Sequence, residues 1–80
     1  MTIDHRRLKA ERVAKGLSQE EMAKLMGWDS RTPWAKRENG LVSIGADELA
    51  KAAEVLGIPM SNLSIFFTSD VPGKEQKQKV

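Results

Sequence analysis

Four glycines divide this chain into segments too short for anything but small helices. Gly16, Gly27, Gly40 and Gly57 each close a stretch that reads as helix. The position just past a helix favours a left-handed backbone, which glycine adopts without a Cβ penalty. Before Gly16, residues Ile3, Leu8, Val13 and Ala14 stand among charges, a weakly amphipathic helix over 3–15. Before Gly27, the run Ser18-Gln19-Glu20-Glu21 is a capping box: the Ser18 hydroxyl accepts from the Glu21 N–H and Glu21 reaches back to Ser18. Leu17 opposite Met22 fits a hydrophobic staple. A second helix is therefore expected from Gln19 to Met26, with Met22, Ala23 and Met26 inward.

The third helix has an ambiguous start. Asp29, Ser30 and Thr32 are all good N-cap residues. Pro33 must lie in the first turn, where no intrahelical N–H is lost. The helix begins either after Ser30, with Pro33 third, or after Thr32, with Pro33 first. Trp34 points inward in both cases, with Glu38 one turn later and Asn39-Gly40 as the end. Leu41 to Gly45 is a linker. Asp47 and Glu48 then suit the positive end of a fourth helix, followed by Leu49, Ala50, Ala53 and Leu56 at helical spacing. Pro59 opens a last short helix carrying Met60, Leu63, Ile65 and Phe66 or Phe67. Tyrosine is absent and no stretch alternates apolar with polar residues, so strands are not expected. The reading is a compact all-α domain of five helices over residues 1–67. A polar, basic and flexible tail follows over 68–80, where Pro72, Gly73, Lys, Gln and Glu dominate.

With 80 residues the chain is one domain, burying only about 60–65% of its unfolded surface. It has no cysteine, which removes thiolate metal sites and cysteine nucleophiles, and His5 is its only histidine. No metal, cofactor or catalytic set is called for: the acidic residues Glu20, Glu21, Asp47 and Glu48 read as first-turn helix formers. Met22, Met26 and Met60 read as core fillers, and His5 as an ordinary exposed side chain. No apolar run is long enough for a membrane span. The charged stretch from Met1 to Arg12 is unlike a secretion leader.

Charge is nearly balanced along the body, with a formal net of +2 for the whole chain. Between residues 31 and 40, however, Arg31, Lys36 and Arg37 face only Glu38. Such a patch is either a solvated helix face or a positioned contact with an anion. Two short helices joined by Gly27-Trp28-Asp29 form a helix-turn-helix, in which one helix braces and the next probes. A helix fits the major groove of B-DNA, and the side chains near its N-terminus reach base edges. On the probing helix those are Arg31, Thr32, Ala35 and Lys36, with Trp34 as the core anchor behind them.

From Leu8 to Leu63 the sequence resembles the phage-repressor and Cro-like (XRE-type) family, whose fold is lambda-repressor-like. The resemblance is carried by Arg12, then Gly16-Leu17-Ser18-Gln19-Glu20-Glu21-Met22-Ala23, then Met26-Gly27, then Glu38-Asn39-Gly40, and finally Leu49 with Ala53-Glu54-Val55-Leu56-Gly57-Ile58. It implies base contacts from Arg31, Thr32, Ala35 and Lys36. It also implies phosphate contacts from Gln19, Ser30 and Asn39, and a buried ion pair between Arg12 and Glu38. Thr32 is open to either a capping or a base-contact role. Arg37, where the family usually has an apolar residue, either meets a phosphate or pairs with a carboxylate. The stretch from Gly27 to Glu38 is one residue longer than the family's pattern, and Ile44 replaces the usual linker proline.

By this resemblance the chain is expected to be a cytoplasmic, nucleoid-associated regulator of bacterial or phage origin. It would repress transcription by binding a palindromic operator in double-stranded DNA as a homodimer. Other readings remain open. An antitoxin or anti-regulator would hold a protein partner through the C-terminal apolar patch (Leu63, Ile65, Phe66, Phe67) or the tail lysines Lys74, Lys77 and Lys79. A pure protein-interaction module would keep the fold without the DNA. The apolar patch itself is either core closure or part of a dimer surface.

Overall fold

The structure, a computed structural model, describes residues 2–68; the expected tail lies almost wholly outside them. Its elements are strand β1 (Thr2–Ile3), helices α1 (His5–Lys15), α2 (Gln19–Met26), α3 (Thr32–Glu38) and α4 (Ala46–Leu56), a 3-10 helix (Met60–Phe66) and strand β2 (Phe67–Thr68). Five helices thus make the body.

The two strands correct the expectation of none. Thr2 pairs with Thr68 and Ile3 with Phe67 in an antiparallel ladder, and the Asp4 N–H donates to the Phe66 carbonyl at 2.7 Å. Ile3 therefore lies outside α1, whose N-cap is Asp4. The pairing joins the two ends of the described chain, so no local periodicity announces it. The inward residues of α1 also differ from expectation. Leu8 and Arg12 are buried, one turn apart, while Val13 is 57% exposed. A polar residue takes the second inward place because a partner awaits it inside, described below.

α2 has the expected bounds. The Glu21 N–H donates to Ser18 Oγ at 3.0 Å and the Ser18 N–H to Glu21 Oε1 at 2.8 Å. Those bonds satisfy two orphan donors of the first turn and hold the Glu21 carboxyl below its ordinary range. Gly27 ends the helix at φ +98°, a conformation that strains any residue with a Cβ.

α3 starts at neither expected point. Its N-cap is Arg31, already in helical conformation (φ −68°, ψ −29°), with Pro33 in the first turn. No side chain caps it, so Asp29, Ser30 and Thr32 do not serve as caps. Proline fixes its own φ and needs no donor. The turn is thereby set by the Pro33 ring and by the Ala35 N–H reaching the Arg31 carbonyl at 3.0 Å.

In α4, Leu49, Ala52, Ala53 and Leu56 are buried, and Ala50 only partly so. Its N-cap is Gly45, whose N–H donates to Glu48 Oε1 at 2.8 Å. The core closes around Leu8, Met22, Trp34 and Phe66, all fully buried. Leu63, Ile65 and Phe67 pack against it half-buried, so the terminal apolar residues contribute to core closure. Met60 is 60% exposed and fills no core gap.

Candidate nucleic-acid interface

The short turn after Gly27 sets the N-terminal end of α3 against α2, and α3 buries Trp34, Ala35 and Glu38. That inward stripe decides which residues remain outside. Arg31 and Thr32 are exposed at the leading end of α3, and Lys36 is exposed in its last turn. The Lys36 side chain makes no hydrogen bond or ion pair among the described residues. Ala35 is only 8% exposed, which removes it from the expected base-facing set. Three positions before the buried Glu38, Ala35 lies on the same face of the helix. There a methyl group is small enough to be enclosed with the rest of the inward stripe.

Behind this face lies a buried carboxylate. Glu38 Oε2 accepts from Arg12 Nε and from the Trp34 indole Nε1, both at 2.7 Å. Its Oε1 accepts from Gln19 Nε2 at 2.9 Å and from Arg12 Nη2 at 3.1 Å. Arg12 Nη1 donates onward to the Leu17 carbonyl at 2.6 Å. Burial pushes the Glu38 carboxyl up, but the hydrogen bonds from Arg12, Gln19 and Trp34, with the Arg12 charge, outweigh it. The carboxyl is held below its ordinary range. Such a pair is costly to desolvate, and its four donors are what make burial tolerable.

Gln19 therefore does not extend its side chain freely toward a phosphate. Its Nε2 is held by Glu38, and its Oε1 accepts from Arg31 Nη1 at 2.7 Å. What Gln19 keeps for an anion is its backbone N–H in the first turn of α2, a group that has no intrahelical partner.

Arg37 also departs from the phosphate role. Its Nε and Nη2 each lie 2.9 Å from a Glu48 carboxylate oxygen, and its Nη1 donates to the Pro33 carbonyl at 2.8 Å. Its guanidinium sits 4.7 Å from the centroid of the Trp28 ring. Every guanidinium nitrogen is thus engaged, and the side chain is 17% exposed. The carboxylate alternative is the one found, as a half-buried clamp from α3 to α4 rather than an exposed pair. The hydrogen bonds from Arg37 and the Gly45 N–H hold the Glu48 carboxyl low.

Ser30 is exposed in the turn, and Asn39 is exposed as the C-cap of α3, with its backbone N–H on the Ala35 carbonyl at 2.9 Å. Neither side chain has a hydrogen bond among the described residues. His5 is exposed, as expected, and its Nδ1 lies 3.0 Å from the Glu38 carbonyl oxygen. Gly40 lies so close beneath the ring that a Cβ there would be 2.9 Å from His5 Nε2. Sequence reasoning missed this contact and the roles of Trp34 and Gln19 at Glu38. The His5 and Gln19 contacts join different helices, which no spacing rule marks; Trp34 and Glu38 are four apart on α3, a spacing that makes them neighbours without saying that they bond.

Among the described residues no group of His, Asp and Glu is placed to hold a metal ion. None of the described helices is long and apolar enough to cross a membrane. A family model described as a helix-turn-helix domain matches residues 6–63. Neither the curated proteins nor the solved structures give a match to the chain.

Proposed function

The chain belongs to the helix-turn-helix family of XRE-like DNA-binding domains, and from that premise we propose that it is a sequence-specific repressor of transcription. The observation that carries this reading is the division of α3. Its Trp34, Ala35 and Glu38 stripe is buried, while Arg31 and Thr32 stand exposed at its start and Lys36 one turn further along, on the side that would face a major groove. Arginine and lysine pair with guanine O6 and N7, and threonine hydrogen-bonds a base or touches a thymine methyl. Asn39, Ser30 and the backbone N–H of Gln19 would meet phosphates, which position the helix without reading sequence. One such module makes few contacts, so the protein would act as a homodimer on a palindromic site. Half-sites would be about 34 Å apart, one turn of the duplex. Its place of action would be the nucleoid of a bacterial cell or of one carrying a phage.

Selection of bound sites from random duplexes by the full chain tests this. The expected product is a two-fold symmetric motif with that spacing, bound less tightly as salt rises. A promoter carrying the motif should lose transcription when the protein is present. An asymmetric single site would overturn the dimer, and activation of the promoter would overturn repression. Absence of DNA binding at low salt would overturn the whole reading.

A further inference from the structure

His5 bridges the two sequence neighbours of Asn39. Its Nδ1 lies 3.0 Å from the Glu38 carbonyl oxygen, and its ring lies against Gly40. That carbonyl belongs to the last turn of α3, where helix geometry leaves it no intrahelical donor. A carbonyl only accepts, so Nδ1 carries a hydrogen and donates it. In the neutral ring Nε2 is then a bare acceptor. Both His5 and Asn39 are exposed.

The charges around the ring are already matched or stand as cations. On α1, Asp4 is engaged by the backbone N–H and guanidinium of Arg6, and Lys9 follows His5 one turn later. On α3, Lys36 and Arg37 precede Glu38, and Arg37 lines the same cavity as His5 with its charge matched by Glu48. The Glu38 carboxylate is turned into the core and matched by Arg12. The rest of that cavity is lined by Ile3, Gly40, Val42, Ser43 and Ile44, none of them charged. An anion for a charged ring must therefore come from outside the chain.

We propose that His5 is a DNA-phosphate contact that forms only when its ring is protonated, beside the contact assigned to Asn39. A phosphate diester oxygen accepts and does not donate. Against the neutral ring it meets a second acceptor at Nε2. Against the imidazolium it meets a charged donor, while Nδ1 keeps its bond to α3. The complex therefore takes up a proton, and binding tightens as pH falls through the range in which histidine ordinarily titrates. The Glu38 carbonyl imposes this requirement: in the other tautomer a neutral ring would donate from Nε2, and the contact would not need the proton. This inference rests on the reading of the chain as DNA-binding, with Asn39 at a phosphate.

The test titrates the full-length chain and His5→Gln with the selected duplex and an unrelated one, at pH 6, 7 and 8 and at several salt concentrations. His5 is the only histidine and cysteine is absent. Besides His5, only a chain-terminal amine titrates in that window, and the glutamine variant keeps it. The unaltered chain should bind both duplexes about three- to tenfold more tightly at pH 6 than at pH 8. Its salt slope should steepen by up to about 1 per bound chain. His5→Gln should lose both effects and match the unaltered chain within about twofold at pH 8.

Duplex binding that ignores pH, or a pH dependence that survives in His5→Gln, would overturn the contact while the DNA reading stands. A loss in His5→Gln that is equal at pH 6 and pH 8 would make His5 a structural prop and overturn it too. An effect confined to the selected duplex would place the ring at a base and not at a phosphate. If no duplex binds at any pH, the DNA reading fails and takes the contact with it. A second measurement follows the ring nitrogens of the unaltered chain by nuclear magnetic resonance. The free chain at pH 8 should carry its ring proton on Nδ1, and duplex should keep the ring protonated to a higher pH. A proton on Nε2 in the free neutral ring, or a midpoint that duplex does not move, would overturn the proposal.

Discussion

Trp34 donates its indole N–H to the Glu38 carboxylate at 2.7 Å, one turn further along α3. Both residues are buried, Trp34 completely. The ring is therefore at once the largest piece of the core and a hydrogen-bond donor that no other aromatic residue can replace. Trp34→Phe keeps most of the apolar contact and removes the donor. It should destabilise the chain by about 1–3 kcal/mol in urea unfolding, the penalty for a buried acceptor left short. Trp34→Ala should cost about 3–5 kcal/mol, since a cavity is added. Equal losses for the two substitutions would show that the indole N–H contributes nothing.

The lowered carboxyls of Glu21, Glu38 and Glu48 set the acid limit of stability. A carboxyl whose folded value lies below its unfolded one stabilises the fold fully above the unfolded value. That contribution is lost as pH falls through the folded one. Stability should hold from neutral pH down to about 5 and decline as pH falls past the ordinary value of 4.5. Glu38→Gln should make the decline shallower while lowering stability at neutral pH, because a neutral amide leaves Arg12 buried without a counter-charge. Urea midpoints measured between pH 7 and 2.5 check this. A Glu38→Gln profile parallel to that of the unaltered chain would remove Glu38 from the acid transition.

Gly40 closes α3 at φ +78°, and a Cβ on it would come within 2.9 Å of His5 Nε2. Gly40→Ala faces both a left-handed backbone and a steric clash, so a loss of about 1–2 kcal/mol or more is expected in thermal unfolding. Adding His5→Ala should restore the part due to the clash and leave the backbone part. A double-mutant cycle with no coupling between the two positions would show that the ring simply turns aside.

What the chain discloses in advance is what lies within one turn of itself. The Ser18–Glu21 box spans three residues, so it is legible from residue order alone. The Arg12–Glu38 pair spans 26 positions, and only the family resemblance points to it. Nothing in the residue order points to the ladder of Thr2 with Thr68. Ala35, three positions before Glu38, shares that residue's face of the helix at any start that Pro33 permits, so its burial follows from Glu38 turning inward, which the basic patch around it does not announce. Arg37 shows the limit of charge reading. A cation in a basic patch needs an anion, and sequence does not say whether that anion is a phosphate or Glu48. Gln19 fits the helix-start pattern perfectly and still conceals that its amide is committed inward.

Two substitutions near the end of α3 should separate a clamp from a phosphate contact. Arg37→Met removes the pairing with Glu48 and the stacking on Trp28. Its pair is partly exposed, so the cost should be about 1 kcal/mol of stability. The salt dependence of DNA binding should be unchanged, because the Arg37 side chain is only 17% exposed and its charge is matched by the Glu48 carboxylate. Asn39→Ala should leave stability almost intact, since its side chain makes no hydrogen bond among the described residues. It should instead weaken selected and unrelated duplexes by the same factor, as a phosphate contact does. Titrations of each variant at several salt concentrations decide both points. A salt slope reduced by about 1 in Arg37→Met would return that residue to the DNA, and a changed base preference in Asn39→Ala would place its side chain at a base edge.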